Sequence, residues 1–416
     1  DAMRAEHAWL PDMRTPSGIY IDNGSRYYLD AGNHNEFSSP EVATPREIAV
    51  YDRANERNLM RAKGVVKEKN PDVDICITKN NVNFSMPDRA AWGQHEAYMC
   101  WISLTSAATQ LIPHLVSRIP YAGAGCLSSH AKGFGYETSQ RSRHMTRLTG
   151  RETTRDRAIF CTRAWKSSDV SDEGWTRTNL ICKDSQRCSF GMYLTYGVTS
   201  LLLMIMNQGH KIGRDVQLKD AVKAMRAFSL DPLLKSKVLL ANGKKATALD
   251  IQRAYLEEAR PHVESGNYPD WTAELFAHWS QTLDQLADNP LKLADRLDTY
   301  LKMTIFDRQL RREGMTWKQL KDALVALEKM RAQAPEPVIR AVLSGDAKRL
   351  DADHRTIYDL VVKMKEVRRQ PVEHLCFAVR LQALELNYHE LGSLFDQLLA
   401  IGQIDSVVVT EDEVQQ

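Results

Sequence analysis

Asn23-Gly24-Ser25-Arg26-Tyr27-Tyr28-Leu29-Asp30, continuing through Ala31-Gly32-Asn33-His34-Asn35-Glu36-Phe37, is the stretch on which the reading of this chain turns. Asn-Gly forms turns and Tyr-Tyr-Leu favours extended backbone, so Gly24 to Leu29 is predicted to be a strand that runs into a loop. Alternation along that strand puts Arg26, Tyr28 and Asp30 on one face. Such a face is also what an ordinary cross-strand ion pair looks like, and then it carries no chemistry. Recurrence of such clusters favours a site. Polar clusters adjoin apolar stretches again at Lys79-Asn80-Asn81, Trp92-Gly93-Gln94-His95-Glu96, Thr138-Ser139-Gln140-Arg141-Ser142, Thr162-Arg163 and Arg177-Thr178-Asn179.

The chain of 416 residues exceeds what one simple core serves, which favours a large domain with a smaller one. Lys plus Arg at 55 against Asp plus Glu at 53 leaves a formal charge of +2. That balance gives no whole-chain argument for nucleic acid or an anionic membrane, and neither is expected as a partner. A local basic run remains, from Arg141 through Arg143, Arg147, Arg151, Arg155 and Arg157 to Arg163. The charge-free stretch Ser189 to Gln208 ends in Leu201-Leu202-Leu203-Met204-Ile205-Met206, short of the roughly 20 apolar residues that span a bilayer, so a buried helix is predicted. No signal-peptide pattern opens the sequence. The seven cysteines are scattered and odd in number, as expected for reduced, buried thiols in a cytoplasmic protein. Cys182 and Cys188 lack the spacing of a zinc site.

By texture the chain divides into an α+β part, residues 1–212, and a helical part, residues 213–387. A first helix is expected from Thr44 as cap and Pro45 at the first position, with Ile48, Tyr51, Ala54 and Leu59 as its apolar stripe. A second runs from Ser103 to Arg118 with Leu104, Ala107, Leu111 and Leu115 inward and a bend at Pro113. Strands are expected at Ile75–Thr78, Ala158–Thr162 and Thr178–Cys182, joined in one antiparallel or mixed sheet. Further on, Ala248–Leu256 has helical spacing, and so does Trp317–Leu327, with Trp317, Leu320, Leu324 and Leu327 on a core face. Ala334-Pro335-Glu336-Pro337 reads as a linker.

Glu36, Tyr28, Glu96 and Asp30 offer hard oxygen ligands from separate segments, a set that suits Mg²⁺. Arginines in the neighbouring clusters could hold phosphates, because a planar guanidinium grips oxyanions at two points. The combination points to a nucleotide. No Walker loop or dinucleotide fingerprint occurs, so the nucleotide would lie on a sheet surface. Asp30 is the natural general base for an amine or a water. No nucleophile elbow occurs, and Cys100 and Cys126 lack a partner motif.

Taken in order, Asn23–Asp30, His34-Asn35-Glu36-Phe37, Asp52-Arg53-Ala54-Asn55-Glu56-Arg57, Lys79-Asn80-Asn81, Gly93-Gln94-His95-Glu96, Ser139-Gln140-Arg141-Ser142, Ala248–Gln252 and Leu386-Asn387-Tyr388-His389-Glu390 resemble the motifs of the Pup ligase and depupylase family. Pup is the prokaryotic ubiquitin-like protein. The resemblance implies a glutamine-synthetase-like fold: a curved, mostly antiparallel sheet with packed helices that cradles ATP and Mg²⁺, and a small C-terminal domain beginning within residues 388–416. It implies Asp30 as the catalytic Asp, and Arg26, Ser39, Arg141 and Arg177 as nucleotide contacts. Tyr28, Glu36, His95 and Glu96 are implied at the metal.

The family's Gly-x-Glu-x-Glu strand does not precede Asp1, and its basic segment does not follow Glu411; both are expected to lie outside this sequence. Inside it, Arg163-Ala164-Trp165-Lys166-Ser167-Ser168-Asp169 stands where the family has Arg-Asp-Glu-Pro-His-Ala-Asp, and a family Glu is replaced near Ser189. Three activities follow as expectations. The first is an ATP-dependent ligase joining the C-terminal Glu of a Pup-like modifier to a lysine of a protein acceptor, with an indirect link to a proteasome. The second is a depupylase or deamidase, and the third a noncatalytic binder of a Pup-like tail. Asp30-Ala31-Gly32-Asn33-His34 leans to the ligase, and Phe37-Ser38-Ser39-Pro40-Glu41 to the depupylase.

Overall fold

The computed structural model describes residues 18–30, 34–82, 91–130, 135–153, 156–162 and 174–392. Strands β1 (Gly18–Tyr20), β2 (Arg26–Asp30) and β3 (His34–Ser38) form an antiparallel sheet in that order. The turn before β2 needs Gly24, whose φ of +82° lies in the region that a Cβ disfavours. Alternation then separates the faces as predicted. Ile19 and Ile21, with Tyr27 and Phe37 beside them, pack on Ala62, which leaves Arg26, Tyr28 and Asp30 on the other side.

Helix α1 (Pro45–Lys69) starts in a capping box of Thr44 and Glu47 with Pro45 in its first turn. Its buried positions are Pro45, Ala49, Asn55, Asn58 and Ala62, not the expected Ile48, Tyr51, Ala54 and Leu59 stripe. The helix lies along α4 (Ser189–Asn207) and turns polar side chains inward, where an ion-pair network meets them.

The expected single sheet is divided. A second sheet has the order β4 (Glu96–Cys100), β9 (Thr176–Leu180), β8 (Arg157–Cys161), β7 (Met145–Gly150), with only β7–β8 parallel. Between β4 and β7 the chain forms a short hairpin, β5 (Cys126–Leu127) with β6 (Tyr136–Glu137). The predicted strands near 158–162 and 178–182 are β8 and β9, but Ile75–Thr78 supplies only one bridge, Thr78 with Glu390.

Helix α2 (Leu104–Ser117) is capped by Ser103, buries Ala107, Leu111 and Leu115 as predicted, and contains Pro113. The short α3 (Ile119–Ala122) follows it. Among the described residues α4 is the one helix long and apolar enough to cross a membrane, and 89% of its apolar window is buried inside the fold, in accord with the buried-helix reading. Each large apolar side chain so buried contributes about 1.5–3 kcal/mol. Helices α5 (Ala221–Ser229), α6 (Ala248–Glu264) and α7 (Trp271–Asp288) complete a first core that runs from Ala49 to Tyr300 and so spans residue 212.

A second core is made by α8 (Asp298–Arg312), α9 (Trp317–Gln333), α10 (Glu336–Ser344), α11 (Ala352–Lys363), α12 (Lys365–Arg368) and α13 (Val372–His389). Leu127 and Tyr136 of the hairpin enter it from the sheet-containing part. Leu320, Leu324 and Leu327 are buried as expected. The linker expected at Ala334–Pro337 is shorter: only Ala334 and Pro335 join α9 to α10, and Glu336 and Pro337 already form the first turn of α10. None of the seven cysteines forms a disulfide; Cys76, in irregular backbone, is exposed and Cys376 is half-buried, against the expectation of buried thiols. The altered segment at 163–169 and nearly all of 388–416 lie outside the described residues.

Candidate active site

The register of β2 and β3 sets Arg26 opposite Ser38, Tyr28 opposite Glu36 and Asp30 opposite His34. The Tyr28 hydroxyl donates to Glu36 Oε1, and the Arg26 guanidinium stacks 4.7 Å from the Tyr28 ring centre. Burial, reinforced by Glu36, holds the Tyr28 phenol protonated well beyond its ordinary range. Burial also pushes the Glu36 carboxyl up, against the pull of Tyr28, and the neighbouring Asp30 carboxylate adds to the rise. Three oxygen donors thus face one guanidinium, and a hard cation would relieve the crowding. Tyr28 and Glu36, with Asp30 beside them, offer the oxygen donors that Mg²⁺ prefers, although no group of three His, Cys, Asp or Glu side chains placed to hold a metal occurs among the described residues. Ser39 is exposed just past β3, at the strand end where Arg26 stands.

One indole joins this face to the second sheet. Trp92 Nε1 donates to His34 Nε2 at 3.0 Å, with the rings edge to face at 5.2 Å. The segment that follows Trp92 leads to His95, whose Nε2 is 3.5 Å from an Arg141 guanidinium nitrogen. Arg141 is buried; its Nε donates to the Ile181 carbonyl, and its Nη1 reaches the Ala91 carbonyl at 3.3 Å. Arg157 reaches the same Ala91 carbonyl at 3.3 Å. Among the described residues neither guanidinium is hydrogen-bonded to a carboxylate, so the pair concentrates positive charge of the kind that suits an oxyanion. Burial and then Arg157 lower the Arg141 pKa to about 10.

His95 is exposed by surface area yet densely surrounded by protein. That desolvation, with the charge of Arg141 next, lowers its pKa to about 4, while Asp30 pulls the other way. Asp30 therefore lies within electrostatic reach of the arginine side. Gly93 permits the approach, since a Cβ there would come within 2.6 Å of both Arg141 Cδ and the Lys183 carbonyl. The turn carrying Arg141 is held by buried Asp184, which accepts from the backbone N–H of Gln140 at 3.2 Å and of Arg141 at 3.0 Å.

Two expected metal residues stand elsewhere. Glu96 faces the core, where its carboxylate is taken by Arg118 and by the Tyr98 hydroxyl at 2.5 Å. His95 turns a nitrogen to a guanidinium, an unfavourable place for a cation. Neither fits the oxygen donor set of β2 and β3. Arg177 is exposed on β9 opposite Met99, on the sheet of Arg157 and not beside Arg26.

The Asp52–Arg57 and Lys79–Asn81 motifs form a frame behind the site. Lys79 bridges Asp52 at 2.5 Å and Glu56 at 3.0 Å. Burial opposes the Glu56 charge, but Arg53, Lys79 and Arg187 outweigh it and hold the carboxyl far below its usual range. Asp52 is also 3.4 Å from Gln94, to which buried Lys183 donates at 2.5 Å. Burial lowers the Lys183 pKa to about 8. Sequence reasoning missed Arg157, Asp184 and Lys183. Arg157 was visible only as one member of a basic run, and nothing local marks the other two.

The fold is glutamine-synthetase-like. A solved structure of the Pup ligase PafA in complex with ADP superimposes with a TM-score of 0.71 at 20% identity, covering 97% of this chain and 76% of that one. A second, of Pup with its ligase PafA, gives 0.70 at 21% identity, with 96% and 70% covered. The Pup-ligase protein family profile matches residues 2–356, and the chain belongs to that family. Among relatives, a depupylase of Acidothermus cellulolyticus is 33% identical over 319 residues, 75% of this chain and 62% of the relative. A Pup–protein ligase of Kineococcus radiotolerans is 32% identical over 307 residues, 72% of this chain and 66% of the relative. The chain thus spans a little under two thirds of the length of these relatives.

Proposed function

We propose that this site carries out ATP-dependent carboxylate–amine ligation, joining the C-terminal Glu of a Pup-like modifier to a lysine amine of a protein acceptor. The observation that carries the reading is the bridge of Trp92 to His34, which sets the Asp30 face against the Arg141–Arg157 pair. Arg26, Ser39, Arg141 and Arg177 are the proposed nucleotide contacts, with Arg157 added to them. Mg²⁺, held by Tyr28 and Glu36, would offset phosphate charge. The γ-phosphoryl of ATP would pass to the Glu side-chain carboxylate with release of ADP, and Asp30 would take the proton that the lysine nitrogen loses as it bonds to that carboxyl carbon and phosphate departs. A cytoplasmic setting and an indirect link to a proteasome belong to the same proposal.

The second reading, hydrolysis of the same isopeptide or of a C-terminal Gln, draws on the depupylase relative, whose identity to this chain equals the ligase's within one percentage point. There Asp30 would activate water in place of the amine. The test is to incubate the protein with ATP, Mg²⁺, a Pup-like peptide ending in Glu and a lysine donor, then with a preformed conjugate, and to follow both by mass spectrometry. A mass gain of one conjugate supports ligation, and release of peptide supports hydrolysis. Nucleotide binding with silence in both assays would leave a noncatalytic binder.

A further inference from the structure

Behind the arginine side of the site lies a buried polar group that no step above uses. Glu385, on the last turns of α13, accepts from the Leu127 backbone N–H at 3.0 Å and from Gln140 Nε2 at 3.0 Å, and pairs with Lys302 of α8 at 3.5 Å. Lys302 also donates to the Gly125 carbonyl and to His389 Nε2 at 2.9 Å. Gln140 Nε2 reaches that Gly125 carbonyl too, at 2.9 Å. Glu385, Lys302, Gln140 and His389 are all nearly or fully shielded from solvent.

Such a cluster is a poor stabiliser. Burying an ion pair costs about as much as its attraction returns. This one also leaves Gln140 Oε1 and His389 Nδ1 without a partner among the described residues. What it does fix is geometry. Gln140 is the residue before Arg141, and the backbone N–H groups of both are already tied to Asp184. Its side chain is held by Glu385 as well, so the turn is tied at both backbone and side chain.

We propose that Glu385, with Lys302 as its counter-charge, is a positioning residue for Arg141: through Gln140 it holds the guanidinium beside Arg157 and His95. That the guanidinium meets phosphate rests on the function proposed above; that Glu385 positions it does not.

The experiment keeps these apart with two readouts. The Nε–H of Arg141, bonded to Ile181, is followed by NMR hydrogen exchange, its resonance assigned by loss in Arg141→Lys. MgATP affinity is measured by calorimetry. Glu385→Gln keeps shape but removes the charge, and Gln140→Met removes the link while sparing the ion pair. Both are expected to speed exchange at Arg141 Nε–H about tenfold, the scale of one lost charge-assisted bond, with Arg118 resonances unmoved. MgATP binding is expected to weaken by a similar factor, and Glu385→Gln is expected to add little once Arg141 is already Lys. Unchanged exchange at Arg141 in both variants overturns the positioning role, as does equal acceleration at Arg118. Faster exchange with unchanged MgATP affinity upholds the positioning role and overturns Arg141 as a phosphate contact.

Discussion

Asp30 and Glu36 sit on adjacent strands with their carboxyls in mutual range, and each has a separable consequence. Asp30→Asn preserves shape and hydrogen bonding but removes the base; turnover by mass spectrometry is expected to vanish while calorimetric ATP binding persists. Glu36 has a raised pKa, so its ionised form is disfavoured in the folded chain, and its contribution to stability falls as pH rises above 4.5, the unfolded value. Glu36→Gln is therefore expected to raise Tm at pH 7 while weakening Mg²⁺-dependent ATP binding; a lower Tm with intact binding would contradict both roles. His95 has the opposite sign. Its folded pKa of about 4 lies below the unfolded 6.5, so the unfolded chain takes up a proton that the folded one refuses, and stability is lost as pH falls from 6.5 towards 4. Tm curves of wild type and His95→Asn are expected to run parallel above pH 6.5, with the wild type losing ground below it. At this scale the sequence was readable where the rule is local. Strand alternation puts Arg26, Tyr28 and Asp30 together, whereas Glu96 is claimed by Arg118, 22 positions away, which no spacing announces.

Among the elements, the loop before β4 matters most, because Gly93 lets two chain segments touch at Arg141. Gly93→Ala would force the Lys183 carbonyl or Arg141 aside. Overpacking of this kind costs about 1–3 kcal/mol, and the variant is expected to bind MgATP at least tenfold more weakly, measured by calorimetry, while circular dichroism stays near wild type. Helix starts were legible, since Thr44–Glu47 and Ser103 satisfy their own backbone donors within one turn. The buried side of α1 was not. A stripe argument assumes that polar side chains face water, and Asn55 and Asn58 are covered by tertiary structure instead.

For the molecule as a whole, the β5–β6 hairpin links the two cores by inserting Leu127 and Tyr136 among the C-terminal helices. Leu127→Ala is expected to cost about 2–5 kcal/mol and to separate a lower-melting calorimetric transition for the second core; one undivided transition at an unchanged temperature would remove the hairpin from that role. The sequence disclosed the change of texture near residue 212 but not that one core crosses it, because texture follows local periodicity and cores follow contacts between distant segments. The arginine pair has a last consequence. Arg141 and Arg157 repel one another across a single carbonyl, so the chain folds against a standing electrostatic load. Any small oxyanion seated between them removes that load, and inorganic phosphate alone should make the protein harder to melt. The ligand then acts as a missing piece of the architecture before it takes part in any reaction.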